Sequence, residues 1–419
     1  MENVALILGI GQTGLSMANY LSSKQLSYTF FDSVSEFNLN KNSEFVKSQE
    51  VLTSVSEINI NKFSRFLVSP GFKSDHEVIN LAKKNGIPLF TDIDIYFQEN
   101  KGKKILVTGT NGKTTTVLMA EHLLQNLYPQ LKSAAIGNVG RPVLDSLNLE
   151  LDISIIEISS FQLELSGDLN SHTSLLLNIS QDHLDRHLSM EEYASIKYKV
   201  FDNALNKAHF DSNDQKNFFN FNRLEIESDL AEHDKKNFKA ATTIAFSIDM
   251  DLTNLDETIK SKIVNQSQNL IKSFKKPNHR LEVLGSKANR VFINDSKSTN
   301  VASLLVALEA TQDLYPDYQI LLLCGGDSKS QDFEPIKQQQ FNNLKKCYVY
   351  GKDKDRFIKY LNLHYKTESF QDLRLALRSS IMESRKEETV ILFSPGCAST
   401  DMFNNYEERG NLFRELTGF

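Results

Sequence analysis

Short apolar runs recur along the chain, and small or polar residues and then a segment with helical periodicity follow each run. The clearest runs cover residues 4–8, 65–68, 105–107, 153–158, 291–293, 320–323, 347–350 and 390–393. Strands this short and this apolar, alternating with helices, are typical of parallel sheets covered on both faces. We therefore predict an α/β fold whose ligands bind beyond the carboxyl ends of the strands.

Two breaks in this alternation predict domain boundaries. The first lies at residues 88–91, before a helix-like segment at 92–100. The second lies at 272–278, where a proline and the lack of an apolar period indicate a solvated basic linker. The polar stretch 203–229 is compatible with either a loop-rich excursion or short edge strands. These breaks predict three domains, with bounds 1–91, 92–276 and 277–419.

Composition and charge narrow the class of protein. The 419 residues include Lys+Arg 47 and Asp+Glu 53, a net charge of −6 that argues against a general nucleic-acid or membrane-surface binder. No apolar run reaches the roughly 18 residues that a membrane helix needs. The cysteines Cys324, Cys347 and Cys397 are widely spaced and form no CxxC pair, so neither a disulfide framework nor a thiolate zinc site is indicated. The start of the chain lacks the features of a signal peptide, and we expect a reduced, cytoplasmic protein.

A glycine motif directly follows the first strand. Residues 9–14 read GIGQTG, a pattern that lets the backbone turn sharply and approach a diphosphate at a helix N-terminus. Asp32 ends the next apolar run, where an acid can accept a hydrogen bond from a ribose hydroxyl. A purely structural tight turn is the alternative, and the motif alone does not say which nucleotide binds.

A second glycine motif predicts a triphosphate site. Residues 108–116 read TGTNGKTTT, between the strand at 104–107 and a helix with an apolar stripe. The backbone N–H groups of such a loop cradle phosphates, while Lys113 reaches β/γ oxygens and the Thr114 hydroxyl binds Mg²⁺. The loop departs from a standard P-loop because Val107 stands where that motif has its first glycine. A ligand-free glycine-lysine turn is the alternative.

Further polar residues follow other predicted strands. Glu157 ends a buried run, where a carboxylate is costly unless it meets a cation. His183 and His187 are four residues apart, which is weak evidence for zinc, since a polar cluster at a helix start is the more common explanation of such a pattern. Polar clusters also follow strands at 294–300, 325–329 and 394–401. Each is compatible with a simple turn or cap, but three at the edge of one sheet favour a binding site.

Taken together, these motifs resemble the Mur ligase family of peptidoglycan synthesis, and within it the branch that adds D-glutamate. The resemblance covers nearly the whole chain. It rests on GTNGKTTT at 109–116, GNVG at 137–140, EISSFQLE at 157–164, LNISQDHLDRH at 177–187, NDSKSTN at 294–300, GGDSKSQDF at 325–333 and SPGCASTDMFNNYEERG at 394–410. The last two motifs separate the chain from sister ligases and from folylpolyglutamate synthase. The Asn-Pro-Arg motif of the diaminopimelate- and lysine-adding enzyme is absent.

The resemblance implies a fold and a reaction. It implies a Rossmann-like N-terminal domain, a central P-loop ATPase-like domain with a parallel sheet, and a Rossmann-like C-terminal domain. The implied activity is that of an acid–amino-acid ligase, which uses ATP to join D-glutamate to UDP-N-acetylmuramoyl-L-alanine through an acyl phosphate. We expect a monomer that binds neither nucleic acid nor a membrane.

The resemblance also implies roles for individual residues. The UDP-substrate site comprises Gln12, Thr13, Asp32, Ser69 and Asn138, and the ATP site comprises Gly109, Thr110, Asn111, Gly112, Lys113, Thr114, Thr115, Asn237, Arg280 and Asp295. The catalytic set is Lys113, Glu157, His183 and Lys197. Two Mg²⁺ ions are held by Thr114, Glu157, His183 and Lys197, the last as a carbamate. The D-glutamate site comprises Thr299, Lys329, Ser399 and Tyr406.

Two alternatives stay open at this point. A sister ligase or folylpolyglutamate synthase shares the chemistry with another acceptor, and a nucleotide-binding sensor keeps the loops without turnover. The presence of the four implied catalytic residues argues against the sensor. The chain also departs from the family pattern Gly-x-His-Asn-x-x-Asn, because residues 231–237 read AEHDKKN. This departure concerns the adenine side of the site.

Overall fold

The computed structural model describes residues 4–32, 50–183, 186–210, 214, 217–228, 230–384 and 387–419. These residues form three sheets flanked by helices, which confirms the predicted α/β fold. The chain divides into two compact units. The first unit comprises Met1–Asn178, Glu191–Glu227 and Asn237–Lys272, and the second comprises Ile179–Met190, Ser228–Lys236 and Ser273–Phe419.

The first sheet belongs to the first unit and has the order β3-β2-β1-β4-β5, with every pairing parallel. Its strands are β1 Val4–Leu8, β2 Tyr28–Phe31, β3 Val51–Leu52, β4 Phe63–Val68 and β5 Leu89–Phe90, and its helices are α1 Gln12–Ser23, α2 Glu77–Lys84 and α3 Asp92–Glu99. All five residues of β1 are buried, as expected for a central strand covered on both faces. Thr91 caps α3 and forms a reciprocal capping box with Asp94.

The second sheet, also in the first unit, has the order β11-β10-β9-β6-β8-β7 and is again parallel. Its strands are β6 Lys103–Thr108, β7 Ser133–Gly137, β8 Ile153–Glu157, β9 Thr173–Leu176, β10 Asn206–His209 and β11 Phe219–Asn220. The helices that follow them are α4 Lys113–Leu127, α5 Ser160–Leu165, α6 Met190–Tyr198, α7 Glu232–Ser247 and α8 Glu257–Leu270. The described part of 203–229 thus contains two short strands, β10 and β11, and β11 lies at the sheet edge.

The third sheet belongs to the second unit and has the order β12-β13-β17-β14-β15-β16. Its strands are β12 Glu282–Lys287, β13 Arg290–Asn294, β14 Gln319–Gly325, β15 Leu344–Tyr350, β16 Lys366–Ser369 and β17 Thr389–Phe393. Its helices are α9 Val301–Leu314, α10 Pro335–Gln338, α11 Lys354–Leu361, α12 Leu373–Glu383 and α13 Tyr406–Thr417. The edge strand β12 is antiparallel to β13, while the other pairings are parallel.

Alternate residues of β14 explain why its sequence is apolar throughout. Ile320, Leu322 and Cys324 point into one buried cluster, whereas Leu321 and Leu323 point into another on the opposite face. A strand with two buried faces needs apolar residues at every position. Cys324, Cys347 and Cys397 are all buried and free.

The basic segment at 272–278 is more than a solvated linker. A short 3₁₀ turn, Ile271–Ser273, begins it, and the Lys276 ammonium forms an ion pair with the buried carboxylate of Asp234. A buried carboxylate is costly without a cation, so this lysine compensates a charge inside the second unit. The bounds 1–91, 92–276 and 277–419 stay predictions. Among the described helices, none has the length and apolar character needed to cross a membrane.

Candidate active site

The first glycine loop is a tight turn between β1 and α1. Gly9 has φ +98°, in the left-handed region that favours glycine. A Cβ on Gly14 would lie 1.9 Å from the Gly9 carbonyl oxygen, so this position also requires glycine. The start of α1 therefore packs directly against the loop, and its first residues, Gln12 and Thr13, lie at the rim with Gln12 exposed.

Two predicted UDP-site residues meet this loop at the carboxyl ends of β2 and β4. The Asp32 carboxylate is buried and accepts a hydrogen bond from the Ile10 N–H at 3.0 Å. The Ser69 N–H donates to the Leu8 carbonyl at 3.1 Å. The Ser69 hydroxyl is buried without a hydrogen-bond partner among the described atoms, as expected for a group that awaits a ligand.

The second glycine loop joins β6 to α4 and is held by one asparagine of the 177–187 motif. Gly109 and Gly112 have φ +154° and +84°. The Asn178 side-chain oxygen accepts from the N–H groups of Thr110 and Asn111 at 3.2 and 2.9 Å, and its amide donates to the Asn111 carbonyl at 3.0 Å. Sequence reasoning quoted Asn178 within a motif but assigned it no role.

Two lysines converge on the carbonyl of Gly109. Lys113 Nζ donates to the Gly109 and Thr110 carbonyls, each at 2.8 Å. Lys197 Nζ donates to the Gly109 carbonyl at 2.9 Å and lies 4.7 Å from the ring centre of Tyr193. Lys197 is only 1% exposed. Two ammonium groups on one loop make a strongly electropositive site, which suits a polyanionic ligand.

Glu157 lies on the neighbouring strand β8 and meets the same loop. Its carboxylate is buried and accepts a hydrogen bond of 2.7 Å from the Thr114 hydroxyl. The Asn138 N–H donates to the Glu157 carbonyl at 3.1 Å. Asn237, on α7, completes the enclosure, because a Cβ on Gly112 would lie 2.3 Å from its side-chain oxygen. The structure thus brings most of the predicted ATP-site residues together at one end of β6 and β8.

This donor set fits a magnesium ion whose coordination is completed by phosphate and water. A carboxylate beside a hydroxyl offers the hard oxygen ligands that Mg²⁺ prefers. Across the described ranges, no group of three or more His, Cys, Asp or Glu side chains lies close enough to hold a metal by itself. Mg²⁺ usually keeps several waters and binds one or two carboxylates plus substrate phosphates, so Thr114 and Glu157 match its needs.

His183 belongs to the second unit, whereas Glu157 and Lys197 belong to the first. His183 has φ +56°, and its N–H donates to the Asp182 carboxylate at 2.9 Å. That carboxylate also accepts from the Asn300 amide at 3.0 Å. The His187 N–H donates to the His183 carbonyl at 3.0 Å.

Asp295 is buried at the end of β13. It accepts hydrogen bonds from the Leu281 N–H at 3.1 Å and from the Ser394 hydroxyl at 2.8 Å. Burial raises the pKa of Asp295 to about 7, although Arg280 and Lys276 oppose this rise through their positive charges.

Sequence reasoning missed His279, which precedes this pair. His279 and Leu281 both have positive φ, +63° and +44°, so the chain is strained here. The His279 Nδ1 atom lies 3.0 Å from the Asn294 amide, and a Cβ on Gly410 would lie 2.3 Å from it. Burial lowers the pKa of His279. The only sequence feature that could have pointed to His279 is its position directly before Arg280.

The four predicted acceptor-site residues lie at the same end of the third sheet. Thr299 and Ser399 follow β13 and β17, Lys329 follows β14, and Tyr406 begins α13. The loops of Lys329 and Ser399 are joined by an antiparallel bridge between Asp327 and Ala398. The ring of Tyr406 lies 3.8 Å from Lys297 Nζ, a cation–π contact.

Arg409 is a second residue that sequence reasoning left without a role. It is fully buried, and its guanidinium donates to the Ser296 hydroxyl, the Ser296 carbonyl and the Cys397 carbonyl at 3.1, 2.7 and 3.0 Å. It therefore ties the loop after β13 to the loop after β17. Arg409 belongs to the YEERG end of the 394–410 motif, and this was the sequence feature that could have pointed to it.

Comparison with known proteins places these observations in a family. Three family models match: the Mur ligase MurD-like N-terminal domain over residues 3–91, the Mur ligase middle domain over 107–287, and the Mur ligase glutamate ligase domain over 279–397. The crystal structure of MurF ligase from Thermotoga maritima in complex with ADP covers 99% of this chain and 95% of its own, with a TM-score of 0.59. At 15% identity, that likeness concerns the fold alone.

The chain belongs to the Mur ligase family, as two relatives of nearly equal length show. A protein of Rickettsia bellii is 32% identical over 98% of this chain and 96% of its own length. A protein of Chlamydia caviae is 32% identical over 99% of this chain and 97% of its own length. Both relatives are named UDP-N-acetylmuramoylalanine--D-glutamate ligase. The predicted family is thereby confirmed.

Proposed function

We propose that this protein is an ATP-dependent ligase that joins D-glutamate to UDP-N-acetylmuramoyl-L-alanine in peptidoglycan synthesis. The observation that carries the proposal is the similarity, at 32% identity and over nearly the full length, to ligases named for that reaction. The geometry supports it independently, since Lys113, Lys197 and Glu157 surround one glycine loop.

The reaction needs activation because a carboxylate is a poor acyl donor at neutral pH. The alanine carboxylate of the UDP substrate attacks the γ-phosphorus of ATP, ADP leaves, and an acyl phosphate forms. The D-glutamate amine then attacks the acyl carbon, and phosphate leaves as the amide forms. In this scheme Lys113 turns from the loop carbonyls to the transferred phosphoryl group and neutralises its charge.

The residues of the first unit divide this work. The UDP substrate is bound by Gln12, Thr13, Asp32, Ser69 and Asn138. ATP is bound by Gly109, Thr110, Asn111, Gly112, Lys113, Thr114, Thr115 and Asn237. The buried Ser69 hydroxyl and the positive charge around Gly109 support these assignments. Arg280 and Asp295 of the second unit contribute further ATP contacts.

Thr114, Glu157, His183 and a carbamylated Lys197 hold two Mg²⁺ ions in this proposal. Bound Mg²⁺ would neutralise charge on the phosphate oxygens. The contact between Thr114 and Glu157 supports one of these positions. A carbamate on Lys197 would replace a buried cation beside the metal by an anionic oxygen, and the 1% exposure of this side chain would shield the carbamate from water.

Thr299, Lys329, Ser399 and Tyr406 bind D-glutamate, with Lys329 pairing with a carboxylate. The position of all four at one end of the third sheet supports this assignment.

We further propose three domains, 1–91, 92–276 and 277–419, in a monomer. The N-terminal family model ends at residue 91 and supports the first bound, while the middle and C-terminal models overlap at 279–287, close to the second. The three free buried cysteines support a cytoplasmic location, because thiols persist there.

The decisive experiment is a phosphate-release assay with ATP, Mg²⁺ and UDP-N-acetylmuramoyl-L-alanine. D-glutamate, L-lysine and diaminopimelate are compared as acceptors. Of the three, only D-glutamate is expected to support phosphate release. Preference for either other acceptor would make the chain a sister ligase. ATP binding without release for any acceptor would favour a sensor.

The acceptor assignment has its own test in Lys329→Ala. Loss of a charge-assisted contact costs about 1.5 to 3 kcal/mol, so the KM for D-glutamate should rise roughly 10- to 150-fold. Lys359→Ala, an exposed residue of α11, is the control. Weakened ATP binding with an unchanged D-glutamate dependence would show that Lys329 does not belong to the acceptor site.

A further inference from the structure

Gln331 is a buried amide at the centre of the second unit's loops. Gln331 is 7% exposed, and both polar atoms of its side chain form hydrogen bonds. The Oε1 atom accepts from the Val301 N–H at 2.8 Å, and the Nε2 atom donates to the Gly396 carbonyl at 2.9 Å. One side chain therefore links the loop after β14 to the loops after β13 and β17.

The contact with Val301 satisfies a group that the helix itself cannot. Val301 is the first residue of α9, and the first N–H groups of a helix have no partner within the helix. Asn300 caps the Ser303 N–H but leaves that of Val301. Gln331 supplies the acceptor from another loop, so the start of α9, two residues after Thr299, is fixed to Gln331.

The backbone of Gln331 is held as firmly as its side chain. Its N–H donates to the Ser328 carbonyl at 3.0 Å, and its carbonyl accepts from the Arg356 guanidinium at 3.1 Å. Arg356 also donates to the Ser328 hydroxyl at 2.8 Å. Asp353 stands at the N-cap of α11, yet its side chain does not cap that helix and instead accepts from the Ser328 N–H at 2.7 Å.

The loop held in this way is strained. Lys329 and Ser330 have φ +46° and +61°, two consecutive non-glycine residues in the left-handed region. Such a conformation is costly for a residue with a side chain and persists only where the surroundings impose it. The Asp327 carboxylate, which accepts from the Lys329 N–H at 2.9 Å, and the Gln331 contacts impose it here.

We infer that Gln331 is a positioning residue for the acceptor site. It fixes the loops of Thr299, Lys329 and Ser399 relative to one another without contacting the acceptor itself. This inference rests on the proposed function of those residues in binding D-glutamate. It gives a reason for a buried amide at a position where an apolar residue would otherwise suit the packing.

The test replaces Gln331 by two residues of similar length. Gln331→Met loses both side-chain hydrogen bonds, whereas Gln331→Glu keeps an acceptor for Val301 and loses the donor to Gly396. We expect the KM for D-glutamate to rise roughly tenfold in Gln331→Met and at least as much in Gln331→Glu, whose buried carboxylate would face the Gly396 carbonyl. The KM values for ATP and the UDP substrate should change less than about twofold, because their other contacts are unaffected.

Gln312→Met is the matched control. Gln312 also uses its side-chain oxygen to accept from a backbone N–H, that of Asn342 at 2.9 Å, but outside the acceptor loops. It should leave every KM unchanged. Thermal unfolding of each variant is measured in parallel, and if Gln331→Met does not fold, Gln331→Glu decides. A D-glutamate KM equal to that of the wild type in the folded variants, or an equal rise in the ATP KM, overturns the inference.

The two proposals fail in different ways. If the wild-type protein releases no phosphate with D-glutamate, the proposed function fails and this inference falls with it. If the wild type is active with D-glutamate and the folded Gln331 variants keep its KM, the inference alone is wrong.

Discussion

The two glycine loops of the first unit share a topology and differ in the polar groups around them. Each follows an inner strand of a parallel sheet, contains a glycine with positive φ and leads into a helix. The loop after β1 is held by a carboxylate, since Asp32 accepts from the Ile10 N–H. The loop after β6 is held by two ammonium groups, since Lys113 and Lys197 both donate to the Gly109 carbonyl.

This difference separates what glycine determines from what its neighbours determine. Glycine allows the sharp backbone turn that each loop makes. The neighbours determine the charge that the loop presents to a ligand. An acidic neighbour suits a ligand with hydroxyl donors, such as a ribose, whereas two cations suit a triphosphate. The comparison predicts that charge changes at the second loop have the largest effects.

The largest effect is expected for Lys113→Ala. Turnover should fall by a factor on the order of 10³ while the fold is retained, because a preorganised cation at the transferred phosphoryl group is lost. Phosphate release is the measurement, with circular dichroism as the check on folding. Lys101→Ala, an exposed lysine in the same unit, is the control and should keep its activity. Near-normal release from folded Lys113→Ala would remove Lys113 from the phosphate site.

Lys197→Ala should lose activity by a factor on the order of 10². If Lys197 acts as a carbamate, added formate or acetate should restore part of the rate by occupying the space of the missing anion. Lys199→Ala, exposed and two residues away, is the control. Restoration by methylammonium instead of a carboxylate would show that Lys197 works as a cation, as its contact with Gly109 allows.

Glycine-to-alanine changes test the backbone half of the comparison. Gly14→Ala should lower the free energy of unfolding by about 3 kcal/mol, because its Cβ would lie 1.9 Å from a backbone oxygen. Gly112→Ala should cost less, since its Cβ would meet the movable Asn237 side chain, but it still pays for a φ of +84°. Gly11→Ala, with no atom within 4 Å and φ −74°, should change stability by less than about 0.5 kcal/mol. Urea unfolding gives the order, and a different order would contradict the packing described for these loops.

The smallest effect is expected at the first loop. UDP should bind the wild-type protein in calorimetry, whereas NAD should not. Asp32→Asn should weaken UDP binding by about 1 kcal/mol, roughly fivefold in Kd, because an amide is a weaker acceptor than a carboxylate. Asp75→Asn, exposed in the same unit, is the control. Binding of NAD without UDP would reverse the assignment of this loop.

Each of the eight apolar runs marks a strand, because a strand buried on both faces is apolar throughout. The run at 320–323 lies within β14, and the run at 390–393 lies within β17. Antiparallel β12 escaped notice because it is an edge strand whose Val283 is half exposed and whose other positions are mostly polar. Strands of this kind lack the apolar pattern that marks central ones.

The site was predicted less completely than the fold. Lys113 and Thr114 could be placed because they begin the helix after a recognisable strand, and Glu157 because it ends one. Asn178 and Gln331 could not, because their roles depend on which loops the fold brings beside them. The departure at 231–237 shows the same limit, since Asp234 acquires its partner Lys276 from a distant segment of the chain.

The division of the chain has a consequence for recombination between related genes. The second unit comprises residues 273–419 and two earlier segments, 179–190 and 228–236. The segment 179–190 is hydrogen-bonded to the segment 273–419 through the contacts Asp182–Asn300 and Gln181–Asp332. A crossover at residue 276 would take these partners from different parents. A chimera built from two family members should therefore inherit all three segments together.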